Sequence, residues 1–154
     1  MVNSNGGRGM WKKITFTDNR FTTVLIRFMV GFIFFTEGIQ KIQFPRVRGA
    51  GRFADMGLPA PEFLSYFVAS FEVLCGALIL VGLLTRLAVL PIIIIMISAI
   101  VLTKFPILIE ENFWVMMYLS KIDFAMLIGA LFLFIEGSGR WSVDHRLFNR
   151  RTTA

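Results

Sequence analysis

Four apolar stretches, Phe21 to Ile42, Pro61 to Leu84, Leu87 to Ile109 and Phe113 to Ile135, constrain this chain more than any other feature. Each is close to the run of about 20 residues that crosses about 30 Å of hydrocarbon at about 1.5 Å per residue. Lipid offers no water to backbone amides and carbonyls, so a span of this length has to be a helix. Composition argues against a soluble alternative. The chain is 56% hydrophobic and 17% charged, with a mean hydropathy of +0.70, where soluble domains are about 45–50% apolar and about 25% charged. The expectation is a single all-α domain, an integral membrane antiparallel four-helix bundle with the lipid bilayer as its solvent.

The links between the runs set the topology. Only Thr85 and Arg86 join the second and third runs, and only Glu110, Glu111 and Asn112 join the third and fourth. Such short connections force antiparallel neighbours. The first link, Gln43 to Ala60, is longer and carries Pro45, Gly49, Gly51, Gly57 and Pro59 with Arg46, Arg48 and Arg52. It is expected at the headgroup level, with a short helical turn around Arg52 to Met56. The chain then divides into a polar basic N-terminal segment (1–20), a transmembrane domain (21–136) with an interfacial loop (43–60), and a basic C-terminal tail (137–154). The first run is expected to stay as a helix rather than be cleaved as a signal peptide. It is longer than a typical apolar signal core, contains Arg27, Glu37 and Lys41, and lacks a small-x-small cleavage site.

An even number of spans puts both termini on one side, which collects Arg8, Lys12, Lys13, Arg20, Arg86, Arg140, Arg146, Arg150 and Arg151. The bias of Lys and Arg toward the cytoplasmic side places that face in the cytoplasm of a cell (inner) membrane protein. Trp11, Trp114 and Trp141 fall near span ends, where interface anchors belong. The formal net charge of +6 does not point to nucleic acid, because the basic residues sit at ends and turns rather than along one face; anionic headgroups account for them better. Cys75 is the single cysteine and His145 the single histidine. A disulfide, a CxxC redox pair, a cysteine zinc site and a clustered haem or metal site are therefore not expected within one chain. No Walker, GxGxxG, HExxH or nucleophile-elbow pattern occurs.

Charges within the spans carry the functional signal, since each costs at least about 2.5–3.5 kcal/mol near the bilayer centre and therefore turns toward the bundle interior. Arg27, Gly31, Phe34, Gly38 and Lys41 follow helical spacing down one side of the first run, with Glu37 four residues before Lys41. Ser65, Ala69, Glu72 and Gly76 form a similar stripe on the second. Small residues beside a carboxylate suit a close helix contact around a buried polar partner. Counting from span centres, Glu72 falls near the midplane and Glu37 roughly 8 Å further out at the helical rise; Lys104 and Asp123 come to a similar level as Glu37. The expected network is Glu37, Lys41, Lys104 and Asp123 in the outer half, Glu72 beneath it, and Arg27 reaching up from the cytoplasmic half. The alternative is that these ion pairs only fix helix register while Arg27, Lys41 and Lys104 extend to headgroups. Pro91 and Pro106 could kink the third run, though proline is common in membrane helices.

The order of several segments resembles the DoxX family of small bacterial and archaeal membrane proteins. They are RFMVGFIFFTEGIQKI from Arg27, the loop GRFADMGLPAPEF, SFEVLCGALILVGLLTR ending at Arg86, and GSGRWSVD from Gly137 to Asp144. The likeness runs from about Thr23 to Leu147. Ser138 stands where relatives often have Pro, and Val143 where Leu is usual. The resemblance implies a four-helix membrane protein with cytoplasmic termini and, from the shared name of a thiosulfate:quinone oxidoreductase subunit, a membrane component of a redox or oxidative-stress system. It supplies no agreed catalytic set, and the chain has no redox centre of its own. One reading is that the bundle binds a quinone, Glu37, Glu72 and Asp123 relay protons, and a soluble redox partner carries the electron chemistry. The other is a non-enzymatic scaffold or a small-solute or lipid-handling bundle. Assembly into a homo-oligomer is open on either reading. In GSGRWSVD, Gly137 and Gly139 can end the last helix, Ser142 and Asp144 can bind backbone amides, and Arg86, Arg140 and Asp144 are candidate headgroup or partner contacts.

Overall fold

The computed structural model describes residues 22–139 and 141–144. The polar N-terminal segment, Trp11, Arg140, His145 and most of the basic tail lie outside the described residues. Among the described residues five helices follow in order: α1 (Thr22–Gln43), α2 (Ala50–Asp55), α3 (Pro61–Val81), α4 (Thr85–Glu110) and α5 (Phe113–Glu136). All but α2 are long and apolar enough to cross a membrane, and the all-helical, four-span fold is the expected one. We call the end that holds the starts of α1 and α4 the terminal end, and the opposite end, which carries α2, the loop end.

Local chemistry sets several boundaries. Pro61 sits in the first turn of α3, where its missing N–H is no loss. The Asn112 side chain accepts the Val115 amide at 3.0 Å and starts α5. The α3 helix stops at Val81 rather than Leu84 because Gly82 takes a left-handed conformation, φ 73°, which costs glycine little. The amides of Gly82 and Leu83 then both return to the Leu78 carbonyl at 2.9 Å. The α4 helix starts at Thr85, two residues before the apolar run, and passes through Pro91 and Pro106 without a break. The helix in the first link begins at Ala50 rather than Arg52.

The closest packing is between α1 and α3, and then between α4 and α5; the two pairs meet through α3–α4 and α1–α5. Small residues make the α1–α3 seam. A Cβ on Gly38 would lie 2.8 Å from the Ala69 carbonyl oxygen, and one on Gly76 would lie 2.6 Å from the Phe35 amide. Lipid gives apolar side chains no reason to leave it, so such backbone approach is how membrane helices gain contact. Of the fully buried apolar residues, Val30, Ile79, Val89, Ile92, Ala130 and Leu133 belong, by their positions along the helices, to the terminal half; Ala69, at the α1–α3 seam, is the exception. Outward-facing Leu25, Phe67, Ile94, Ile128 and Ile135 are exposed, as lipid contacts should be.

Candidate functional site, a charged cavity in the loop half

The loop half of the bundle is hollow. A cavity of about 510 Å³ lies among α1, α3, α4 and α5, with α2 and the preceding turn contributing to its lining. Its wall is apolar, including Ile33, Phe34, Val68 and Met96, and seven charged side chains line it: Glu37, Lys41, Arg48, Arg52, Glu72, Lys104 and Asp123. The volume falls in the range of about 300–1,000 Å³ usual for small-molecule sites, and an apolar wall with a few convergent polar groups is the usual lining of such sites.

Each inner charge is placed by a helix face. Lys41, one turn after Glu37, extends from the last turns of α1 toward α3, where its Nζ donates to Glu72 Oε2 at 2.6 Å and lies 3.8 Å from Glu37 Oε2. Glu72 is only 3% exposed. Gly38 and Ala69 let the two helices close enough for this pairing to span them. Across the cavity, Lys104 of α4 lies 3.0 Å from Asp123 Oδ2 on α5 and donates to the Leu119 carbonyl at 3.0 Å. A buried charge is tolerated when it is both paired and hydrogen-bonded, and both lysines meet that condition. Polar groups that stay satisfied without a ligand, yet face an open volume, are positioned to exchange partners with one.

Five of the six residues expected to form the network, Glu37, Lys41, Glu72, Lys104 and Asp123, thus line one cavity. The pairing differs in detail, since the shortest contact of Lys41 is to Glu72 on the neighbouring helix rather than to Glu37 on its own. Arg27 does not join them. It is 6% exposed at the terminal end, where its two Nη atoms donate to the Ser138 and Trp141 carbonyls, each at 2.7 Å. The reason is direction: Arg27 lies only five residues into α1, beside the turn at Gly82 and below the returning tail.

Two of the residues expected to meet headgroups or a partner, Arg86 and Asp144, are held within the chain; the third, Arg140, lies outside the described residues. Arg86 donates to the Ile135 carbonyl at 2.8 Å, near the end of α5. Asp144 accepts the Leu84 amide at 2.9 Å and the Thr85 amide at 3.4 Å, and so caps α4. Its own amide donates to the Gly82 carbonyl at 3.1 Å. Ser138, Trp141 and Asp144 therefore form a clasp that ties α1, the α3–α4 turn and the end of α5 together.

Arg48 and Arg52 are the cavity residues that sequence reasoning assigned elsewhere, to the headgroup level. A signal was present: they are four residues apart and flank Gly49 and Gly51. The Gly49 position is packed against the Lys41 carbonyl and Ser65, and the Gly51 position against the Arg46 carbonyl. That packing folds the link back over the bundle and brings both guanidiniums to the cavity.

Outward-facing apolar spans around a charged cavity define a multi-pass helical membrane protein. Comparison with known sequences narrows the class. The profile of the DoxX family matches residues 22–104, and the chain belongs to that family. It is 41% identical over 148 residues, 92% of this chain and 91% of the relative, to "Uncharacterized membrane protein Rv3486" of Mycobacterium tuberculosis. It is 32% identical over 127 residues, 82% of this chain and 87% of the relative, to "Putative oxidoreductase CatD" of Bacillus subtilis. No solved structure matches the chain with significance.

Proposed function

We propose that this chain is a membrane component of a redox system that takes a quinone in the loop-half cavity, with the chemistry of electron supply carried by a soluble partner at the terminal end. The observation that carries the reading is the coincidence of an apolar wall with two lysine ammoniums and three carboxylates on a volume of about 510 Å³. A quinone supplies reversible two-electron, two-proton chemistry when bound. The donor set fits its polar ends: Lys41 and Lys104 can each turn an N–H toward a carbonyl oxygen while keeping a carboxylate partner. Glu37 is half-buried beside Lys41, so its carboxylate can hold a proton at the cavity edge and pass it outward. Asp123 has the same relation to Lys104. Glu72, almost fully buried, orients Lys41. The name of the Bacillus subtilis relative supports a redox role and says nothing of quinone. On this reading the terminal end faces the cytoplasm, consistent with the basic residues near it.

The test is to purify the full chain in mild detergent, extract it with organic solvent and look for quinone, in parallel with a variant whose cavity is filled, Val68→Trp. Quinone from the parent protein and none from the filled variant supports the reading. A protein of intact helicity that retains no quinone, and shows no change in tryptophan fluorescence on quinone addition, overturns it.

A further inference from the structure

Formal charge on the cavity wall does not cancel. Lys41 is matched by Glu72 and Glu37, and Lys104 by Asp123. Arg48 and Arg52 line the same volume, are exposed, and have no ion-pair or side-chain hydrogen-bond partner among the described residues. Four cationic and three carboxylate side chains leave one positive charge, and both unmatched groups lie in the loop-end segment rather than deep in the bundle. Below them the wall is apolar, and Glu72 and Lys41 are already joined at 2.6 Å. The arrangement is polar and cationic at one end, apolar along its length, and one negative charge short of neutral.

We propose that the cavity takes an amphiphile bearing a single negative charge, its head held between Arg48 and Arg52 and its apolar body lying along Ile33, Phe34, Val68 and Met96. Two guanidiniums suit a carboxylate or a phosphodiester, because each offers paired N–H donors to paired oxygens. The guanidiniums are carried by a link whose glycines pack against backbone, so binding does not have to order that link. A fatty acid and an anionic phospholipid share this chemistry, an anionic head on an apolar body, with a carboxylate in one and a phosphodiester in the other. The inference goes beyond the redox reading and does not need it. A quinone and an anionic amphiphile would share the apolar wall but use different polar groups, so substitution of the arginines separates the two.

The full chain reconstituted in phosphatidylcholine nanodiscs is titrated at pH 8 with lysophosphatidylglycerol, oleate, lysophosphatidylcholine and inorganic phosphate, with bound molecules counted by native mass spectrometry. The anionic amphiphiles should bind with lysophosphatidylcholine at least about tenfold weaker, and R48Q/R52Q should weaken them by about tenfold for each charge-assisted contact removed. R48K/R52K should recover part of the loss, and quinone retention should be the same in all three proteins. Preference for lysophosphatidylglycerol assigns a phospholipid occupant, and preference for oleate a fatty acid. Equal binding of lysophosphatidylcholine, unchanged binding by R48Q/R52Q, or binding of inorganic phosphate as tight as that of the amphiphiles overturns the proposal. Both arginines are exposed, so R48Q/R52Q should keep the parent helicity. Should it not, Val68→Trp, which fills the apolar wall and leaves the arginines in place, has to abolish amphiphile binding for the proposal to stand.

Discussion

The two halves of the bundle solve the same problem of burying polar atoms in opposite ways. In the terminal half Arg27 is sealed, its guanidinium held by two carbonyls at 2.7 Å beside a dense core of Val30, Ile79, Val89, Ile92 and Leu133. In the loop half the lysines and carboxylates hold one another across an open volume. One polar arrangement closes the fold and the other keeps a space open. The difference shows that an intramembrane charge marks a place where helices are tied, but whether the tie is also a site depends on the volume left beside it. By that criterion Arg27 is structural and Lys41 is a candidate for chemistry.

Substitution should divide the halves in the same way. Arg27→Met removes two charge-assisted hydrogen bonds, each worth about 1.5–3 kcal/mol. It should give the largest loss of stability, read as the midpoint of denaturant unfolding in micelles, while the cavity stays intact. If unfolding is unchanged, the clasp is dispensable and the contrast fails. Glu72→Leu leaves the Lys41 ammonium without its near partner and should cost about 3–5 kcal/mol. Glu72→Gln, which can still accept from Nζ, should cost less. A ligand that restores Glu72→Leu toward the parent midpoint would show that the cavity can be satisfied from outside. Ala130→Val pushes extra volume into the filled half and should cost about 1–3 kcal/mol; Ala99→Val, on the cavity wall, should shift the midpoint by less than about 0.5 kcal/mol. Equal costs would mean that the loop half is as tightly packed as the other. Asp144→Ala removes the cap of α4 at a cost of about 1 kcal/mol, and amide exchange should quicken at Leu84 and Thr85 ahead of the rest of α4.

How much of this was legible beforehand follows from the range of each interaction. The four helices were plain because lipid imposes a length and an apolar composition on each span. The inward charges were plain too, since expelling them from lipid is a rule that needs no partner to be named. Boundaries fixed by local chemistry, such as the turn at Gly82, could only be located to within a few residues. The start of α4 was out of reach for a different reason: its cap is a carboxylate 60 residues further along the chain, and Asp144 could be identified as an amide acceptor without revealing which amides it takes. Arg27 was misplaced on the same grounds, because nothing near it in sequence supplies the acceptors. Arg48 and Arg52 were read as surface groups because a long glycine-rich link gives no period from which its fold over the bundle could be deduced.

The clasp also fixes an order of events during biosynthesis. Arg27 is polymerised 111 residues before Ser138, so the nascent α1 helix has an unmatched guanidinium until the segment that follows α5 has been made. Conformational maturation of α1 is thereby tied to completion of α5 and the turn after it, and a chain interrupted before Ser138 would leave a bare cation for membrane quality control to recognise.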